Sequence, residues 1–65
     1  MNSNKDLVAM IDELAKFREE TLKFYRKLLK KINDPRLAKE LDELVSDETE
    51  KFELTQEMAK LLEGS

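Results

Sequence analysis

Charged side chains make up 42% of this 65-residue chain, yet the residues that most often do chemistry are missing, because it has no Cys and no His. That excludes thiolate nucleophiles, disulfides, zinc sites built on either ligand, and every triad that needs an imidazole. With a single Gly there is no phosphate-cradling loop either. What remains is a set of polar residues at places in the pattern where Leu or Ile is expected. Arg18, Thr21 and Tyr25 stand in the first half of the chain, and Glu48, Lys51 and Thr55 in the second. Paired carboxylates for acid-base work need a pocket, and Glu48 already has cations at hand. The layer is therefore read as buried polar structure, with no catalytic residue and no cofactor.

The elements that hold this layer are two helices. The internal punctuation is Asn33-Asp34-Pro35, where Asn suits a helix C-terminus, Asp is a good N-cap and Pro is preorganised for the first helical position. The spacing predicts a helix over 4–32, a turn at 33–34 and a second helix over 35–63, in one hairpin spanning 1–65. Ser3 or Asn4 is expected to cap the first helix, and Gly64 to end the second. Leu7, Ile11, Leu14, Tyr25, Leu28 and Ile32 follow alternating steps of four and three, with Arg18 and Thr21 in the slots between. Leu37, Leu41, Leu44, Met58 and Leu62 do the same on the second helix, through Glu48, Lys51 and Thr55. So short a connection makes the helices antiparallel, and seven-residue spacing favours left-handed packing.

A second row flanks each seam: Met10, Phe17 and Phe24 on the first helix, Val45, Phe52 and Ala59 on the second. Such a stripe is wider than a two-stranded coiled coil requires and suits helices with two neighbours each. A chain this short also sits near the lower limit for one self-sufficient core, and without Cys or His the device left to it is oligomerisation. The expected fold class is all-α, an antiparallel two-helix hairpin that dimerises into a four-helix bundle. Its dimer core is expected to contain Leu7, Ile11, Leu14, Phe17, Phe24, Leu28, Leu41, Leu44, Phe52, Met58 and Leu62.

Lys23, Arg26, Lys27, Lys30 and Lys31 form a basic cluster, but folding about the turn places it beside Glu40, Asp42, Glu43 and Asp47. Charge pairing between the helices and favourable signs at the helix ends account for it without a polyanion. With a net charge of −3, no nucleic-acid partner is expected. No apolar run approaches a membrane span, and the residues from Met1 to Asp6 lack the order of a signal peptide. No membrane partner is expected, and the compartment expected is cytoplasmic.

Folding about the turn also puts Arg18 level with Glu48 and Lys51, which makes an opposed Arg18 and Glu48, within one chain or between two, the natural way to bury both charges. Tyr25 is read as core packing, with its hydroxyl satisfied by the polar layer.

The stretch from Phe17 to Glu53 resembles half of a ferritin-like domain of the rubrerythrin type. The resemblance is carried by Arg-Glu-Glu-Thr-Leu-Lys-Phe-Tyr at 18–25, the Asn-Asp-Pro turn, and Leu-Val-Ser-Asp-Glu-Thr-Glu-Lys at 44–51. In that family each half supplies a metal Glu, a small residue three on, a Tyr seven on, and a Glu-x-x-His on the next helix, and two halves enclose a di-iron or di-manganese centre. Carried across, the first Glu falls on Arg18, the small residue on Thr21, the Tyr on Tyr25, the second Glu on Glu48 and the His on Lys51. Glu48 is the only retained ligand-like position. Arg and protonated Lys offer a metal no lone pair, so the resemblance implies the fold and the pairing of hairpins while the substitutions argue against metal.

The expectation is therefore a non-enzymatic hairpin module forming a homodimeric four-helix bundle, natural or engineered, with no metal bound. The alternatives are a half-domain with a di-iron or di-manganese centre at the dimer interface, and an adaptor docking on another protein. Leu14→Asp or Leu44→Asp is expected to unfold and dissociate the assembly together in circular dichroism and sedimentation runs. A compact, cooperatively folded monomer of the unmodified chain at micromolar concentration contradicts this expectation.

Overall fold

The structure, a computed structural model, describes residues 3–64, with side chains from Asn4 onward. The expected span of 1–65 also takes in Met1, Asn2 and Ser65, which lie outside the described residues. Helices α1 (Ser3–Lys31) and α2 (Pro35–Glu63) pack antiparallel along their length, with no strand among the described residues. The molecule is a rod, 53 × 14 × 11 Å by its Cα atoms.

Local chemistry sets the turn. Asp34 is the N-cap of α2, extended at φ −84° and ψ 117°, and its Oδ1 accepts from the Arg36 N–H at 2.9 Å, with Pro35 as the first helical residue. At its C-terminus α1 closes with the Ile32 N–H donating to Leu28 O at 3.1 Å, although the helix itself ends at Lys31. At the other end α1 begins at Ser3, so Asn4 sits inside the first turn and is not the cap; the side chain of Ser3 lies outside the described residues. Gly64 ends α2 in a right-handed conformation, φ −78° and ψ −10°, and its N–H donates to Lys60 O at 3.0 Å. It closes the hydrogen-bond ladder without turning the chain left-handed.

The contact between the helices follows one heptad seam on each. On α1 that line is Val8, Ile11, Ala15, Arg18, Leu22, Tyr25, Leu29 and Ile32, and on α2 it is Ala38, Leu41, Val45, Glu48, Phe52, Thr55, Ala59 and Leu62, with Thr21, Leu28 and Thr49 half-buried beside it. Steps of three and four run unbroken through both, which is the spacing that keeps one line of side chains against a neighbouring helix. The expected seam shares Ile11, Arg18, Tyr25 and Ile32 with this line, but Leu7 and Leu14 are exposed and Val8, Ala15, Leu22 and Leu29 take the inward slots. On α2, likewise, Leu37, Leu44, Lys51 and Met58 are exposed, and Ala38, Val45, Phe52 and Ala59 are covered. The physical reason is that four-and-three spacing tracks the middle of a wide stripe, while the partner within the hairpin covers only one edge of it.

Asp34→Ala should lower stability by about 1 kcal/mol, the usual cost of losing an N-cap. Urea unfolding measures it, and no loss would mean that Pro35 and the turn start α2 unaided.

Candidate interaction face and polar layer

Full burial is confined to Leu22, Leu41, Ala59 and Thr55 among the described residues. Ten large apolar side chains of the described residues are exposed: Leu7, Met10, Leu14, Phe17, Phe24, Leu37, Leu44, Leu54, Met58 and Leu61. Each of them stands one residue before a position of the covered seam. A step of one residue turns a helical side chain by about 100°. Because α1 and α2 run in opposite directions, the same backward step turns both sets to the same side of the hairpin. The ten residues therefore form one continuous apolar face, with Phe17 at 68% and Leu61 at 71% exposure near its middle and its open end.

The step forward gives the other side, and it is polar. Asp12, Lys16, Glu19, Lys23 and Arg26 of α1, with Thr49, Glu53 and Gln56 of α2, line shallow grooves along it. Leu54 and Leu61, which the sequence pattern alone did not place in a core, belong to the apolar face, and their signal is the one-residue offset from Thr55 and Leu62.

The polar residues do not close into a network within the hairpin. Thr55, 2% exposed, donates its hydroxyl to Lys51 O at 2.7 Å, and Thr21 donates to Phe17 O at 3.0 Å. Both are satisfied by their own helix. Glu48 Oε2 accepts from Lys51 Nζ at 3.2 Å, again on one helix, and Lys51 lies on the exposed face rather than in a buried layer. Tyr25 is half-buried, but its hydroxyl makes no hydrogen bond among the described residues, against the expectation that the layer would satisfy it.

Within the hairpin the expected pair of Arg18 and Glu48 is not formed. Arg18 Nε is buried with no hydrogen-bond partner, and Glu48 turns to Lys51 instead. Two features of geometry explain it. Leu22 and Thr49 line one groove, and Glu19 and Phe52 stand together in the next, so Arg18 sits one helical turn farther from the connection than Glu48 does. Helical side chains also lean toward the N-terminus of their own helix, which carries Arg18 and Glu48 away from each other on antiparallel helices. The same lean carries Lys51 back onto Glu48.

Pairing between the basic cluster of α1 and the acids of α2 is absent as well. The ion pairs within 4 Å among the described residues are Lys23 with Glu20, Arg36 with Asp34 and Lys51 with Glu48, all local in sequence. Lys23, Arg26, Lys27 and Lys30 instead surround Phe24 on the outer surface of α1.

These residues do not fit a metal centre. Arg18 presents only donors, one of them already stranded, and Lys51 occupies the carboxylate that the resemblance would assign to a metal. Among the described residues no three acids converge into a group able to hold an ion. No helix among the described residues is long and apolar enough to cross a membrane. In comparisons with protein-family models, curated proteins and solved structures, the chain matches none. The ferritin-like resemblance therefore rests on the residues quoted for it alone.

Arg18→Met keeps most of the buried alkyl stem and removes the stranded N–H, so it should leave stability unchanged or raise it by about 1 kcal/mol. A loss above about 2 kcal/mol in urea unfolding would mean that an acceptor reaches the guanidinium in solution.

Proposed function

We propose that this hairpin is a non-enzymatic assembly module, and that its apolar face pairs with the same face of a second copy to complete a four-helix bundle. The observation that carries the reading is the one-residue offset of all ten exposed large apolar side chains from the seam between the helices. A domain is built from at least two packed layers, and one hairpin is a single layer with one side left apolar.

Size supports the same reading. The chain exposes 5425 Å², whereas a compact monomer of 7.6 kDa exposes roughly 4,300 Å². The excess, about 1,100 Å², is of the order that each partner buries in a stable interface, about 800 Å². The radius of gyration, 15.2 Å, likewise exceeds the value of about 11 Å for a compact domain of this length.

Pairing also explains the expected four-and-three seam. Leu7, Leu14, Thr21 and Leu28 lie on the face toward the second copy, while Ile11, Arg18, Tyr25 and Ile32 lie toward α2. Positions taken alternately from two contact lines point between them, which in a four-helix bundle is toward the central axis. The ferritin-like resemblance is compatible with this assembly and supplies no chemistry to it.

Sedimentation equilibrium across a dilution series tests the proposal. The expected result is a mass of two chains, with helical content lost as the dimer dissociates. A single-chain mass with full helicity retained would overturn it.

A further inference from the structure

We infer that the two hairpins pair with their turns at the same end of the bundle, a conclusion that rests on the homodimer reading and fixes its geometry. The argument starts from the outer edge of the apolar face, the line farthest from the seam within the hairpin. On α1 that edge carries Met10, Phe17, Phe24 and Lys31, and on α2 it carries Glu40, Asp47, Leu54 and Leu61, each at intervals of seven. The edge is graded. Toward the open end of the hairpin both helices are apolar there, and toward the turn they are charged, with opposite signs on Lys31 and Glu40.

Two copies can meet face to face about a two-fold axis in either of two ways, both of which make all neighbouring helices antiparallel. With the axis along the bundle, α1 lies against α2 of the second copy and the turns share an end. Equal heights then meet: Met10 with Leu61, Phe17 with Leu54, and Lys31 with Glu40, leaving Phe24 beside Asp47 as the one mixed layer. With the axis across the bundle, α1 lies against α1 and α2 against α2, with the turns at opposite ends. The charged half of each α2 edge then meets the apolar half of its copy, Glu40 or Asp47 against Leu54 or Leu61. Burying a carboxylate against apolar surface without a partner is costly, whereas opposite charges at matched heights are favourable on both sides of the two-fold. The grading of the edge therefore selects the first arrangement.

Spin labels at one position read the difference, because the chain has no native Cys. Asn33, exposed in the turn, takes the label as Asn33→Cys, and Glu63→Cys gives an independent measurement from the other end. In the same-end arrangement both variants should give dipolar distances of about 15–25 Å, set by neighbouring axes about 10 Å apart. Opposite ends would separate like labels by about the length of a 29-residue helix, about 43 Å, and that result overturns the inference while the homodimer stands. No intermolecular dipolar signal from either variant, at concentrations where the chain is folded, overturns the inference and the homodimer together.

Discussion

Each helix of this protein carries an apolar stripe wider than one neighbour can cover, and the rest of the structure follows from that constraint. The stripe resolves into two heptad lines offset by one residue. One line, through Ile11, Leu22, Leu41 and Ala59, is covered inside the hairpin; the other, through Leu14, Phe17, Leu44 and Leu61, is not. On antiparallel helices the uncovered lines come to the same side, so a local feature of each helix becomes a face of the whole hairpin. Ala15, Ala38 and Ala59 are covered in the seam, and side chains so small limit how much apolar surface the single hairpin buries. The covered seam gives the hairpin its shape, and the open face keeps most of its large apolar side chains exposed.

The polar residues follow from the same geometry. Thr55 in the seam and Thr21 beside it return their hydroxyls to the preceding turn, so neither leaves that group unsatisfied and neither needs a partner across the helices. Glu48 keeps a cation on its own helix, where the lean of the side chains favours the contact. Arg18 is the exception, with a buried Nε and no acceptor. Its stem fills part of the seam as an apolar residue would, which accounts for its position more directly than any charge pair does. Arg18 and Lys51 offer no electron pair to a metal, and Lys51 holds the Glu48 carboxylate.

The turn was legible because its chemistry is local: Asn33, Asp34 and Pro35 each act on adjacent backbone, and Asp34 caps α2 as its residue type implies. The helices and the width of their apolar stripe were legible from spacing. Which residues faced which neighbour was not. Leu7 and Ile11 look equivalent in a one-dimensional pattern, and only the direction of packing separates them. Alanines at 15 and 38 carry little weight in a search for apolar periodicity, so the true seam was masked by the larger residues beside it. The pairing of Arg18 with Glu48 is not made within the hairpin for a different reason, because height along the hairpin and side-chain lean depend on the register of two helices, which the connection alone left open by about one turn.

The central claim is that a second copy covers the face bearing Phe17 and Phe24, and isotope-filtered nuclear Overhauser measurements on an equal mixture of labelled and unlabelled chains test it most directly. The account predicts intermolecular contacts from the rings of Phe17 and Phe24 and from the methyl groups of Leu54 and Leu61, while the methyl groups of Leu22, buried in the seam, show contacts only within their own chain. Intermolecular contacts confined to the polar side around Lys16, Glu53 and Gln56, or none at all in the folded protein, would contradict it.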